Sequence, residues 1–222
     1  VLDANGAEIE RFRTKKTDEK SDKSESEESE SSDEKPSLTA KVGFNRFVWN
    51  MRYPGPEVKI DKTLEKPGYK QLGRISPFGG DTSSGPAAPP GNYQVQLKTG
   101  DAEFIHSFEI IKDPRLNTSP EDFSAQFELW IKIRNRVSDV NSAINRIRRI
   151  KLQITELLAR ENFNNSAEEK SFGEIQKAAE ALREKFNTLE NELTQNQYET
   201  PSDRLRHPTM LKQRMEALVS VV

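Results

Sequence analysis

Residues 43–56 read GFNRFVWNMRYPGP, and residues 85–97 follow with GPAAPPGNYQVQL. In the first stretch Phe47, Trp49 and Met51 alternate with other residues, which is typical of a strand with one covered face. The second stretch alternates in the same way after a proline-rich turn. Because proline cannot donate a hydrogen bond to a ladder, the prolines mark the ends of both segments. The two stretches therefore predict short strands of a β-sandwich.

Further strand patterns lie on either side of these stretches. Residues 1–13 are centred on Asn5-Gly6, a dipeptide that supplies the positive φ of a tight hairpin turn. Residues 104–111 continue the alternation as a closing strand. Half a dozen short strands with turns between them predict an immunoglobulin-like β-sandwich over residues 1–115.

An acidic, serine-rich tract interrupts this domain at residues 18–36. Residues 18–34 hold nine acids, two lysines and six serines, with no apolar side chain to offset the entropy of ordering. The composition predicts a disordered loop inserted in the sandwich. Two sharper interpretations stay open, a sensor of calcium or of a basic partner, and a phosphorylation target at Ser24.

The pattern changes after residue 119 to apolar residues three and four positions apart. Ser119 supplies a helix-capping oxygen, and Pro120 suits the first helical turn. The spacing predicts helices at about 120–161, 167–197 and 208–222 within a helical region at residues 120–222. Because the apolar stripes need cover, we expect an antiparallel bundle of long helices that is incomplete in this chain. The predicted fold class is multidomain α+β, a sandwich followed by a bundle.

Composition narrows the classes of function. The 222 residues carry a net charge of -2, with basic and acidic residues interleaved, so we expect no nucleic-acid partner. Without cysteine the chain cannot form a disulfide framework or use a cysteine nucleophile. No stretch has the roughly 18 apolar residues of a membrane helix. The chain opens on Val1 within a strand pattern, and we expect it to be a fragment of a longer protein.

Residues for catalysis are scarce. The two histidines, His106 and His207, lie in different predicted domains, which does not favour a metal site or a nucleophilic triad. Gly79-Gly80 lacks the following Lys-Ser/Thr of a phosphate-binding loop. The sequence therefore predicts no catalytic, metal-binding or cofactor-binding residue.

A ligand surface is the one candidate site. Arginine beside aromatic rings can hold an anionic group or a sugar, and the candidate residues are Arg46, Trp49, Arg52, Tyr53 and Tyr93. The alternative interpretation places Trp49 in the core of the sandwich.

The chain resembles the C-terminal region of sortilin-like β-propeller proteins, large secreted bacterial proteins often labelled glycosyl hydrolase or BNR-repeat proteins. The resemblance rests on NRFVWNMRYPGP, GPAAPPGNYQVQL, FEIIKDPR and QFELWIKIRNRVSDVNSAINRIRRI, and its strand order is similar to an immunoglobulin-like domain of the flagellar-hook-cap type. In that family a β-propeller precedes this region and would hold any catalytic or peptide-binding groove. The resemblance carries no catalytic residue onto this sequence.

The resemblance implies a non-catalytic accessory module of a secreted or periplasmic protein, with the upstream propeller of the same polypeptide as its partner. Two alternatives stay open. The region could bind polysaccharide for a glycoside hydrolase, with Trp49, Tyr53 and Tyr93 as stacking residues. The helices could also form a coiled-coil oligomerisation arm.

Overall fold

A computed structural model describes residues 1–14, 38–64, 85–161, 169–197 and 205–219. Within these ranges the chain forms two β-strands, three α-helices and one turn of 3-10 helix at Lys62–Leu64. The strands are β1 (Gly91–Thr99) and β2 (Ala102–Ile110), and the helices are α1 (Pro120–Glu161), α2 (Glu169–Leu193) and α3 (Leu211–Val219). The predicted acidic loop at 18–36 lies outside the described residues.

Strands β1 and β2 form one antiparallel hairpin. Thr99 pairs with Ala102, so the turn contains only Gly100 and Asp101. Gly100 has a φ of 55°, and a glycine at the first central position is typical of a type II′ turn, whose twist matches that of the strands. The register continues without a bulge to the pair Gly91 and Ile110.

The expected fold class, an immunoglobulin-like β-sandwich followed by an antiparallel long-helix bundle, is wrong. The described residues contain a single two-stranded sheet and three α-helices, which is a small α+β arrangement. Several segments with strand-like alternation make only isolated bridges, such as Leu2 with Gln94 and Arg52 with Ala87.

The strand-like segments fail to extend into a sheet for local reasons. Met51 has a φ of 56°, a left-handed conformation that a β-strand cannot contain, and it follows the strand-like alternation of residues 44–50. The chain then reaches Pro54 and Pro56, and its bridging partner at Ala87 is preceded by Pro86. Each proline removes a donor, so the pairing stops after a few hydrogen bonds.

The bundle prediction fails because one face of α2 is open. Ile175, Leu182 and Leu189 recur every seven residues, yet their side chains are 52%, 44% and 48% exposed. These residues therefore do not form the inner face of a closed bundle. Helix α3 is also short, at nine residues.

The chain divides into two compact units. The first comprises Val1–Pro54 and Ser83–Phe127, and the second comprises Gly55–Thr82 and Glu128–Val222. The core of the first unit is built from buried Ile9, Ala88 and Tyr93, with Val1, Trp49, Tyr53, Phe108 and Ile110 packed against it.

The second unit is organised around α1. Its buried apolar residues follow helical spacing and are Ile133, Val137, Val140, Ile144, Ile147 and Ile154. A polar stripe on the same helix binds the backbone of residues 57–61. Asn145 donates from Nδ2 to the carbonyl of Lys59 at 2.8 Å and accepts from the amide of Asp61 at 2.9 Å, and Asn141 donates to the carbonyl of Val58 at 2.8 Å.

Within the described ranges, none of the helices combines the length and the apolar character that crossing a bilayer requires.

Candidate interaction surface

Three of the five predicted surface residues lie in or against the core of the first unit. Trp49 is half-buried, with its ring centroid 6.2 Å from that of Tyr93 and 6.3 Å from that of Phe108. Its indole N–H donates to the carbonyl of Arg52 at 3.2 Å. The ring of Tyr53 packs 4.7 Å from that of Phe127. Trp49 therefore packs against the core of this unit, although the β-sandwich in which the alternative interpretation placed it is absent from the described residues.

Tyr93 is the most enclosed of the five. Its side chain is 4% exposed, and its hydroxyl donates to the carbonyl of Pro89 at 2.7 Å. Burial, with a smaller contribution from Tyr53 and Asp3, raises the pKa of Tyr93 to about 12. A ring in this position offers no face on which a sugar could stack.

Arg52 joins the two stretches at residues 43–56 and 85–97. Its Nη1 donates to the carbonyl of Gly85 at 3.1 Å. Backbone bonds run alongside, from the amide of Tyr53 to the carbonyl of Pro86 at 2.9 Å and from the amide of Ala88 to the carbonyl of Met51 at 2.8 Å. Arg52 therefore stabilises the fold of this unit. Arg46 is exposed, so the structure brings four of the five residues together as a packed cluster.

The surface that sequence reasoning missed is one face of the hairpin, here called the hairpin face and formed by Val95, Leu97, Phe104 and His106. These side chains project from the same side of the sheet as Tyr93 and its partner Phe108. Nearer the core that side is covered, but Val95, Leu97 and Phe104 are 42%, 53% and 59% exposed. An apolar surface that continues outward from a core is typical of a protein contact.

The available sequence signal was the alternation of Tyr93, Val95 and Leu97. The alternation showed that these three residues share one apolar side of a strand. It could not show that this side stays exposed, because the second sheet expected to cover it is absent from the described residues.

The opposite side of the hairpin is mostly polar, with Ile105 as an exposed apolar residue. Glu103 accepts a hydrogen bond from the side-chain amide of Gln96 and lies 3.5 Å from Nζ of Lys98. Its charge is therefore locally balanced. Near the core, an open groove of about 360 Å³ lies on this side and is lined in part by Asn92, Gln94 and Ser107.

A buried electrostatic cluster lies in the second unit. Arg148 donates from Nε to one oxygen of Glu190 at 2.7 Å, and Lys151 donates to the other at 2.8 Å. Burial alone would raise the pKa of Glu190, but the hydrogen bonds from Lys151 and Arg148 outweigh it, so the pKa is lowered. A carboxylate with both oxygens bonded to cations serves to hold the helices, and it is a poor general base.

Groups suited to metal binding do not converge in the described part of the chain, where no cluster of three or more histidine, cysteine, aspartate or glutamate residues could hold an ion. His106 lies on the exposed part of β2, and His207 lies ahead of α3.

The chain matches no protein-family model, no curated protein and no solved structure in comparisons of sequence and fold.

Proposed function

We propose that this chain is a non-catalytic structural and interaction module that docks onto another folded domain through the hairpin face. The observation that carries the proposal is the continuity of the apolar side of the hairpin, which is covered at Tyr93 and exposed from Val95 to Phe104. Exposing three large apolar side chains on one side of a small sheet is unfavourable unless a partner covers them.

The resemblance to sortilin-like proteins supplies the partner in this proposal. The docked domain is the β-propeller that precedes this region in such a polypeptide, and the whole protein is secreted or periplasmic and bacterial. In this arrangement the module supports the propeller, and any groove for substrate or peptide belongs to the propeller.

Hydrogen exchange of the parent polypeptide tests the docking. We expect the amides of β1 and β2 to exchange more slowly in the parent, with its propeller, than in the 222-residue chain alone, because a docked domain excludes water from the hairpin face. Leu97→Lys should remove that protection. The matched control is Gln96→Lys, because Gln96 neighbours Leu97 in β1 but lies on the polar side. Equal exchange in the parent and in the chain alone would refute the proposal.

A second candidate function, the coiled-coil oligomerisation arm, is favoured by the open stripe on α2. The stripe consists of Ile175, Leu182 and Leu189, which are seven residues apart and each about half exposed. Leu182→Lys should abolish any association that uses this stripe. The polysaccharide alternative gains no support of this kind, because Trp49, Tyr53 and Tyr93 pack into or against the core.

A further inference from the structure

The outer edge of β2 has backbone groups that face away from β1. Gln94 and Leu2 exchange two backbone hydrogen bonds, of 2.8 and 3.0 Å, so the backbone groups of Gln94 point away from β2. When one residue of an antiparallel pair points its backbone amide and carbonyl away from the partner strand, the residue opposite it does the same. This pattern repeats at every second residue along both strands. Ser107, the partner of Gln94, therefore points its amide and carbonyl outward. By the same alternation Glu103, Ile105 and Glu109 do so as well.

We infer that two copies of this chain associate by antiparallel pairing of their β2 edges about a two-fold axis at Ile105. This inference rests on the proposed function, since it names a partner for the same interaction module, but it uses an edge of the hairpin and leaves the hairpin face free. The result is a four-stranded sheet in the order β1, β2, β2 of the second copy, and its β1.

The side chains of β2 are self-complementary in this register. Ile105, which is 57% exposed, meets its own copy, and Glu103 lies opposite Ser107. On the other side of the sheet Phe104 lies opposite His106. Within residues 102–108 no two like charges face each other across the pair, and the one opposed carboxylate pair, Asp101 of the turn with Glu109, lies at the two ends, beyond the paired residues 102–108.

The other self-pairings are less favourable. An axis at Glu103 places that carboxylate opposite itself, and an axis at His106 places Glu103 opposite Glu109. An axis at Ser107 places Glu109 opposite Ile105. It also requires Phe108 and Ile110 to lie within the paired segment, although both already pack against the core. An axis at Phe104 pairs a shorter stretch, because the turn at Gly100 and Asp101 ends the strand.

Local charge also favours a second copy over a basic peptide as the occupant of this edge. Glu103 is already balanced by Lys98 at 3.5 Å, so the centre of the edge has little uncompensated negative charge to attract a basic strand. On the β1 edge, by contrast, the backbone groups of Gln94 are already hydrogen-bonded to Leu2. Lys98 on the same strand is a residue type that protects a sheet edge from pairing. The association is therefore closed and stops at two copies.

Cysteine cross-linking tests the register, since the chain has no cysteine of its own. Facing residues of a hydrogen-bonded antiparallel pair have Cα atoms about 5.5 Å apart, within the range a disulfide bridges. We expect Ile105→Cys to form a linked dimer on oxidation roughly ten times faster than Ser107→Cys, whose copies would be about 14 Å apart at 3.4 Å per residue. Mixing Glu103→Cys with Ser107→Cys chains should give a linked pair, whereas each alone should not.

Sedimentation over a concentration series provides a test without oxidation. The unmodified chain should associate reversibly to a dimer. Ile105→Lys should weaken that association at least about tenfold, because it places two ammonium groups at the axis. Gln96→Lys is the control, since Gln96 lies directly opposite Ile105 within the hairpin but on the β1 edge. Trp49 fluorescence checks that each variant keeps its fold.

The outcomes separate the two proposals. Linkage of Ser107→Cys as fast as that of Ile105→Cys, a chain that stays monomeric, or open-ended aggregation each overturns the pairing. Dimer formation that Leu182→Lys abolishes and Ile105→Lys does not affect also overturns it and places the contact on α2. If the hairpin amides exchange more slowly in the parent polypeptide but Ile105→Cys gives no linked dimer, the pairing is refuted and the proposed docking stands. If Ile105→Cys links but the hairpin amides exchange equally fast in the parent and in the chain alone, only the docking is refuted.

Discussion

Gly85 occupies a position in the first unit that only a residue without a side chain can take. Its amide donates to the carbonyl of Tyr53 at 3.1 Å, and a Cβ built there would lie less than 3.0 Å from the carbonyl oxygens of both Tyr53 and Pro54. Those oxygens belong to backbone held by further hydrogen bonds, so they cannot move cheaply. Gly85 is thus required for the close approach of the two backbone segments.

We predict that Gly85→Ala destabilises the first unit by about 2 kcal/mol or more, because overpacking against backbone costs roughly 1–3 kcal/mol and this contact is severe. The control is Gly173→Ala in α2, where a Cβ meets nothing within 4 Å and a gain of roughly 0.5–1 kcal/mol is expected. Urea denaturation measures both changes, followed by tryptophan fluorescence for the first unit and by circular dichroism for the helices of the second. An unchanged midpoint for Gly85→Ala would contradict the close approach.

Sequence reasoning at the scale of single residues succeeded where the chemistry is local. The cap at Ser119 is confirmed, since its hydroxyl oxygen accepts from the amide of Asp122 at 3.1 Å. Met51 was not anticipated, because nothing in the alternation of residues 44–52 signals a left-handed φ of 56° in a methionine. The closeness of Arg52 to Gly85 depends on chain segments more than thirty residues apart, and no local pattern reports such contacts.

At the scale of elements, helix α1 acts as a backbone clamp as well as a packing surface. Ser138, Asn141 and Asn145 are spaced three and four residues apart, so they lie along one side of the helix. The hydroxyl oxygen of Ser138 accepts from the amide of Glu57 at 2.9 Å, and the two asparagines bind Val58, Lys59 and Asp61. Because the backbone groups of residues 57–61 find hydrogen-bond partners on α1, this segment needs no neighbouring strand.

We predict that Asn145→Ala releases this segment and costs about 1–2 kcal/mol, since it removes two hydrogen bonds to backbone groups. The amide of Asp61 should exchange with solvent faster, as hydrogen exchange by NMR would show. Asn135→Ala is the control, because Asn135 is exposed on the same helix and its amide oxygen accepts from the guanidinium of its neighbour Arg134. Unchanged exchange at Asp61 would show that other contacts hold the segment.

A helix is easier to predict from sequence than a strand, because the hydrogen bonds of a helix form between residues close together in the chain. The spacing of Ile133, Val137, Val140 and Ile144 is enough to predict a helix, because every hydrogen bond of the helix is made within the same segment. Strand formation depends on finding a partner, and alternation alone does not supply one. Residues 44–50 have the alternation of a strand but join no sheet among the described residues, and this difference accounts for the failed β-sandwich.

At the scale of the whole molecule, each unit has a chemically distinct means of stabilisation. The first unit relies on aromatic and aliphatic packing around Tyr93, and the second adds a buried ion cluster to its apolar stripe. The ion cluster joins residues about forty positions apart, Arg148 and Lys151 of α1 with Glu190 of α2, so no local pattern reports it. The hairpin face and the β2 edge could not be foreseen, because they are defined by what the rest of the chain leaves uncovered.

We predict that Glu190 makes the stability of the second unit dependent on acid pH. Its pKa is lowered from 4.5, so the folded state favours the carboxylate. The stabilisation is therefore complete above pH 4.5 and is lost as the pH falls through the lower folded pKa. Glu190→Gln should cost about 2 kcal/mol at neutral pH, because Arg148 and Lys151 lose the charge that balances them in a largely buried site.

Urea denaturation of the helices at a series of pH values, followed by circular dichroism, measures this dependence. The difference in stability between the unmodified chain and Glu190→Gln should shrink as the pH falls below 4.5. Glu184→Gln is the matched control, because Glu184 is an exposed acid on the same helix and should show a small effect at every pH. A difference that persists unchanged in acid would mean that Glu190 stabilises the unit by packing, and that its charge contributes nothing to holding α1 and α2 together.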